Sequence, residues 1–235
     1  VPAYINFHGV GFNRGSAEMD EPMCARICEL ADCAVFNVEY RLAPEYPFPC
    51  GLNDCCDAVA EVFERAADYG VDVRAVAVGG QSAGGTLAAG VMQRMLDTGK
   101  YASCGYVLTY PALDFGSPIT MAEDAAIPKA EEGLYRAAYG LGGADLTQPY
   151  VTPINAKTDR LRGAPAVLIL SAGLDTLRHG AYRFAAMLRE AGVNVDHYNF
   201  ENCVHGFTHR AYRTEPEEAV QKIAAFLRER FAAVG

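Results

Sequence analysis

The sequence is short of positive charge. Its 235 residues carry 20 Lys and Arg against 29 Asp and Glu, a formal net charge of −9, and the basic residues form no run. An acidic chain has no electrostatic reason to seek nucleic acid or an anionic membrane surface, so neither is expected as a partner. Long hydrophobic runs are also missing. No stretch reaches the roughly 18 consecutive apolar residues of a membrane helix. No charged-then-apolar leader opens the chain either. The first residue is Val1, not Met, and the opening residues already read as a strand, so a missing upstream segment or a removed leader stays open. The eight cysteines are Cys24, Cys28, Cys33, Cys50, Cys55, Cys56, Cys104 and Cys203, and no two make a C-x-x-C pair. A chain this long and apolar has no need of disulfide staples. Reduced, mostly buried thiols in a cytoplasmic protein are the expectation.

What is present is an alternation. Apolar residues make up 51% of the chain, enough for a sizeable core in one domain spanning 1–235. Short β-branched runs alternate with helical patterns, which argues for a parallel sheet covered by helices. Strands are expected at 3–8, 34–40, 74–80, 104–113, 165–172 and 194–200. Helices are expected at 20–31, 51–70, 82–98, 178–191 and 215–233. Pro22 and acidic residues mark the start of the first helix, and Gly70 marks the end of the second. The rhythm breaks from about 115 to 161, where Gly, Pro, Asp and Ala accumulate around a helical patch at 130–140. That segment reads as a cap-like insertion over one face of the sheet.

The first pattern with chemistry in it is Gly80-Gln81-Ser82-Ala83-Gly84. It matches G-x-S-x-G and lies between an expected strand and an expected helix, the setting that makes the pattern meaningful. A serine lifted out of a strand-to-helix turn needs a strained backbone, and side chains two residues to either side would collide. The N–H groups at the start of the following helix favour a developing negative charge. A nucleophilic serine also needs a base, and the base an orienting acid. Asp175 follows the strand at 165–172, and His205 follows the last strand. The order Ser, Asp, His and the strand-end placement both fit. His209 is the close rival to His205. His197 falls inside a strand and His179 in the first turn of a helix. Asp175 also fits a helix N-cap.

The third element is "NFHGVGF", residues 6–12. A glycine-rich loop after an early strand can aim several backbone N–H groups at one oxyanion. The candidates are the N–H groups of Gly9, Val10 and Gly11, together with that of Ala83. His8 reads as a loop-orienting residue, because its place in the chain order is wrong for the base.

Together, "HGVGF", "YRLAPEYPFP" (40–49), "GQSAGG" (80–85), "GLDTLR" (173–178) and "HGF" (205–207) resemble the hormone-sensitive-lipase-like group of α/β-hydrolases, the bacterial family IV carboxylesterases. "QPYVTPINA" (148–156) resembles the segment that returns from this family's cap to its core. The resemblance implies an α/β-hydrolase fold. It implies Ser82 as nucleophile, His205 as base, Asp175 as its orienter and an oxyanion hole from Gly9 to Gly11 with Ala83. It further implies small-molecule esters of short to medium acyl chains as substrates, with no metal or cofactor. Amidase or peptidase chemistry on the same triad, or a non-catalytic receptor of this fold, are the alternatives. The chain departs from the family at three places. Val10 replaces a glycine and narrows the acyl site. Gln81 replaces an acid. The sequence begins at the family's oxyanion strand, after the point where the resemblance implies an N-terminal cap and two strands. If nothing lies upstream, the pocket is expected to be more open and the strand at 34–40 becomes a sheet edge, an association hazard that makes a homodimer one expected outcome.

Overall fold

Strands of five to seven residues alternate with helices in the computed structural model, which describes residues 1–115, 139, 143, 145–210 and 213–235. Strands β1 (Ala3–Phe7), β2 (Ala34–Val38), β3 (Val76–Gln81), β4 (Gly105–Thr109), β5 (Ala166–Ala172) and β6 (Val195–Phe200) form one wholly parallel sheet among the described residues. Their order is β2-β1-β3-β4-β5-β6. The helices are α1 (Glu21–Ala31), α2 (Cys50–Glu64), α3 (Ala66–Tyr69), α4 (Ala83–Thr98), α5 (Arg178–Glu190) and α6 (Glu215–Ala232).

A parallel sheet carries its crossover helices on both faces, so its central strands must be apolar on both sides. Every residue of β1, β3 and β4 is buried. Ile5 and Phe7 point to one face, where they join Leu52 and Val59 of α2, Leu87 of α4 and Phe184 of α5. Tyr4 points to the other, with Met23 and Ile27 of α1 and Ile223 and Leu227 of α6. Arg26 ties α1 to α6 through Glu217 at 2.8 Å. No described helix is long and apolar enough to cross a membrane.

The structure corrects several expected boundaries, among them the strand expected over 34–40, which ends at Val38. The helix expected over 51–70 breaks at Arg65, whose backbone (φ −111°, ψ 23°) leaves the helical region, and Ala66 turns inwards on the far side of the break. The strand expected to reach 113 ends at Thr109, because Tyr110 takes a positive φ of 34° and Pro111 has no N–H to give a ladder. The strand expected from 74 starts at Val76, after a short 3-10 turn over 73–75. The helical patch at 130–140 lies outside the described residues apart from Tyr139. Of the expected cap segment, 145–161 forms turns and two 3-10 segments, Pro153–Asn155 and Thr158–Leu161.

Strand β2 lies at one edge of the sheet, and all five of its residues are half-exposed. The carboxyl ends of β1, β3, β5 and β6 open on the same side, as parallel pairing requires. Residues 8–11, 82, 175 and 205 all follow those ends, where ligands gather in open α/β sheets.

Candidate active site

Ser82 sits between β3 and α4 with φ 53° and ψ −114°. A non-glycine residue at positive φ is costly, on the order of 1–3 kcal/mol, so the surroundings must hold it. Ser82 N–H donates to the Thr109 carbonyl at 2.9 Å, and the Ser82 carbonyl accepts from Thr86 N–H at 3.1 Å. The flanking glycines are forced by contact. A Cβ on Gly84 would lie 1.9 Å from the Phe7 carbonyl oxygen, and one on Gly80 would lie 2.5 Å from it. The turn is therefore pressed against the end of β1. As the first residues of α4, Ala83 and its neighbours have N–H groups with no intrahelical acceptor.

The structure brings Ser82, His205 and Asp175 together. Ser82 Oγ and His205 Nε2 are 2.8 Å apart, and His205 Nδ1 lies 2.6 Å from Asp175 Oδ2. Asp175 is 1% exposed. Its other oxygen, Oδ1, accepts from Leu177 N–H at 3.0 Å just before α5. The N-cap of α5 is Leu177 and not Asp175, so Asp175 orients His205 with one oxygen and braces the turn before α5 with the other. A buried carboxylate on Nδ1 selects the tautomer that leaves Nε2 free to accept the serine proton. Tyr110 packs edge-on against the His205 ring at 5.0 Å, and its hydroxyl bonds Thr208.

The rival histidines are engaged elsewhere. His209 Nε2 pairs with Asp20 Oδ1 at 2.8 Å, and His197 Nε2 lies 2.7 Å from Ser171 Oγ.

The loop after β1 is strained along three consecutive residues. Val10, Gly11 and Phe12 take φ of 70°, 70° and 66°. For β-branched Val10 this is an unusual conformation. Four contacts hold it. Tyr40 Oη–H donates to the His8 carbonyl at 2.7 Å, and the two rings stack at 4.2 Å. Ala43 N–H donates to the Phe12 carbonyl at 2.8 Å. Phe12 stacks on Tyr139 at 3.9 Å. Finally, His8 Nδ1 lies 3.1 Å from the Gly9 carbonyl, so that nitrogen carries the proton. A cavity of about 250 Å³ is bounded by Gly9, Val10, Gly11, Ser82, Ala83 and His205. Its apolar wall includes Phe12, Ala112, Phe115 and Leu177.

Residues 4–209 match the family described as alpha/beta hydrolase fold. The chain belongs to that family. Its motifs place it in the hormone-sensitive-lipase-like group, as the resemblance implied. It is 34% identical to Esterase LipI of Mycobacterium tuberculosis over 88% of this chain and 66% of that protein. It is 32% identical to Carboxylesterase NlhH of the same species, over 90% of this chain and 68% of that one. The chain thus spans about two thirds of the length of these curated relatives. A solved esterase from the archaeon Pyrobaculum calidifontis superposes with a TM-score of 0.92 at 32% identity, over 100% of this chain and 78% of that one. EstE1, a thermostable carboxylesterase from a metagenomic library, gives 0.93 at 32% identity, over 98% and 80%.

In this α/β-hydrolase, "YRLAPE" acts as a brace under the glycine-rich loop. Tyr40 and Ala43 make two of the four contacts named above. Arg41 fixes the segment to α2, with Nη2 2.6 Å from Asp54 Oδ1 and its backbone N–H on Oδ2 at 2.9 Å. Arg41 holds the Asp54 carboxyl below its usual range. Sequence reasoning identified the motif and missed its mechanical role. It also missed Asn6, Asp20 and the pairing of His209. Asp20 is 1% exposed and lies beside Gln81, the position where the family resemblance predicts an acid. No local pattern marks Asp20, which is simply one acid at the start of an acidic first turn.

Burial pushes the pKa of His8 and of His197 below the ordinary histidine value, despite Glu39 near His8. The native state therefore resists protons that the unfolded chain accepts near pH 6.5. Stability from these two groups is complete above about pH 6.5 and is lost as pH falls towards the lowered native values. Asp54 follows the same sense only below about pH 4. Urea unfolding at pH 7.5 and 5.5 is expected to show lower stability at 5.5. The slope is expected to flatten in His197→Asn, by at most about 1.4 kcal/mol per pH unit. An unchanged slope in that variant would contradict the assignment.

Proposed function

We propose that the chain is a serine carboxylesterase with Ser82 as nucleophile, His205 as general base and acid, and Asp175 as the orienting carboxylate. The observation that carries this is the hydrogen-bonded row from Ser82 Oγ through His205 to Asp175, set at the mouths of β3, β5 and β6. Ser82 Oγ attacks the ester carbonyl while His205 Nε2 takes its proton. Negative charge grows on the carbonyl oxygen and is met by N–H groups of Gly9, Val10, Gly11 and Ala83, which border the same cavity. His205 returns the proton to the departing alkoxide. Water then repeats the sequence on the acyl-enzyme, and Asp175 stabilises the imidazolium at each crossing. The esterase names of the relatives support ester over amide as the bond cleaved. Ser82→Ala is expected to lower kcat on a p-nitrophenyl ester by roughly 10³ or more. Turnover near that of the native chain would overturn the assignment.

Acyl length follows from Val10. Val10 borders the cavity at a position where the family resemblance implies glycine, and it does so at a positive φ of 70°. The substrates are therefore short-chain esters. In a series of p-nitrophenyl esters, kcat/KM is expected to be highest at short acyl chains. Val10→Gly should move the optimum towards longer ones. A native preference for long-chain triglycerides is the result that contradicts this.

Among the described residues β2 pairs with β1 alone, and self-association through its other edge is the second part of the proposal. Size-exclusion chromatography of this chain is expected to give a dimer, and a monomer across the micromolar range would remove this part alone.

A further inference from the structure

We propose that Asp20 is a positioning residue for the active site: one buried carboxylate that holds the three segments carrying the oxyanion loop, the nucleophile and the base in mutual register. The inference rests on the esterase reading above.

Asp20 ends a short 3-10 segment, Ala17–Asp20, and leads into α1. Its Oδ2 accepts from Asn6 Nδ2 at 3.0 Å. Asn6 lies on β1, two residues before His8 and the oxyanion loop. The Gln81 side-chain amide meets the same Oδ2: turned one way its nitrogen donates to Asn6 Oδ1 at 2.8 Å, and turned the other way it donates to Asp20 Oδ2 and to the Phe7 carbonyl at 3.2 Å. Gln81 is bonded directly to Ser82, so its anchorage bears on the strained φ of the nucleophile. Oδ1 takes the third contact, with His209 Nε2 at 2.8 Å. His209 closes the 3-10 turn Phe207–His209, and its N–H donates to the Gly206 carbonyl at 3.2 Å, one residue beyond His205. A second line of bonds supports the cluster from β2: Asn6 Nδ2 also donates to Asn37 Oδ1 at 2.9 Å, and Asn37 Nδ2 donates to the Ala17 carbonyl at 2.5 Å.

A buried carboxylate needs several donors to remain in place, and charge-assisted bonds are the strongest available for the purpose. Here all three side chains on the carboxylate, Asn6, Gln81 and His209, come from segments that must meet for catalysis. Gln81 then has a reason. A glutamate at that position would set an oxygen 2.5 Å from Asp20 Oδ2, two like charges face to face. An amide turns the same contact into a donor.

The test is Asp20→Asn and, separately, His209→Asn in the whole chain. Readouts are p-nitrophenyl ester kinetics, the rate of fluorophosphonate labelling at Ser82, and the melting temperature. Misalignment acts on the chemical step, so kcat and the labelling rate of Asp20→Asn are expected to fall together by about tenfold or more. KM should stay within about threefold, since Asp20→Asn keeps the size and shape of a side chain that borders the cavity. His209→Asn should lower the same two quantities by a smaller factor, and the double variant should be no worse than Asp20→Asn, because both act through one network. A purely structural role would lower the melting temperature and leave kcat of the folded enzyme unchanged. That result in Asp20→Asn overturns the inference. If Asp20→Asn does not fold, unchanged kcat and labelling in His209→Asn overturn it instead. A native chain that neither turns over an ester nor takes up the label removes the esterase reading and this inference with it. A reactive native chain with an equally reactive Asp20→Asn variant removes this inference only.

Discussion

Backbone pressed against backbone at the end of β3 is the constraint from which the site follows. Gly84 leaves no room for a methyl group above the Phe7 carbonyl, and Gly9 stands against the Gln81 carbonyl, where a Cβ would lie 3.0 Å away. The nucleophile turn and the oxyanion loop are therefore two sides of one contact. Seating α4 on β1 lifts Ser82 into a strained conformation and brings the loop's N–H groups to the same cavity. Strain of this kind persists only where surrounding packing over-determines it. Here the packing is the sheet itself, with β1 and β3 adjacent and in fixed parallel register.

Two histidine–carboxylate pairs stand at the same end of the sheet with different consequences. In each the carboxylate is buried and takes one imidazole nitrogen. His205 gives Nδ1 to Asp175 and keeps Nε2 for Ser82. His209 spends Nε2 on Asp20, and its Nδ1 lies beside the Thr208 hydroxyl at 3.4 Å. The first pair faces a reacting atom, whereas the second borders the same cavity without touching Ser82. The oxyanion loop follows the same logic. Val10 at positive φ is unfavourable by itself, and Tyr40 and Ala43 from one segment and Tyr139 from another hold the loop in that shape.

Much of the fold was legible along the chain because its signals are local. Alternating apolar runs, capping residues and exit glycines mark elements within ten or twenty residues, and six strands in the described region follow that rhythm. The glycine spacing around Ser82 was legible as a local motif, although the contacts that demand it reach across to the Phe7 carbonyl on β1. Boundaries failed where a backbone angle decided them, at Arg65 and at Tyr110 before Pro111. The site was legible as an order, Ser82 then Asp175 then His205. That order left His209 as a rival, and geometry alone separates the two histidines.

By itself the sequence determined the parallel α/β plan, the strained serine between strand and helix, and the acid and base expected after late strands. Those follow from periodicity, chain order and the space a glycine leaves. Tertiary structure decided the rest. It assigned Asp175 two oxygens with two tasks, made "YRLAPE" a brace beneath the oxyanion loop, and set Asp20 beside Gln81 across 61 positions of chain. The physical reason is that these contacts are between side chains distant in sequence. Their partners are chosen by sheet register and by the seating of α1 and α4 on opposite faces, and no local pattern encodes where two such faces bring a carboxylate and an amide together.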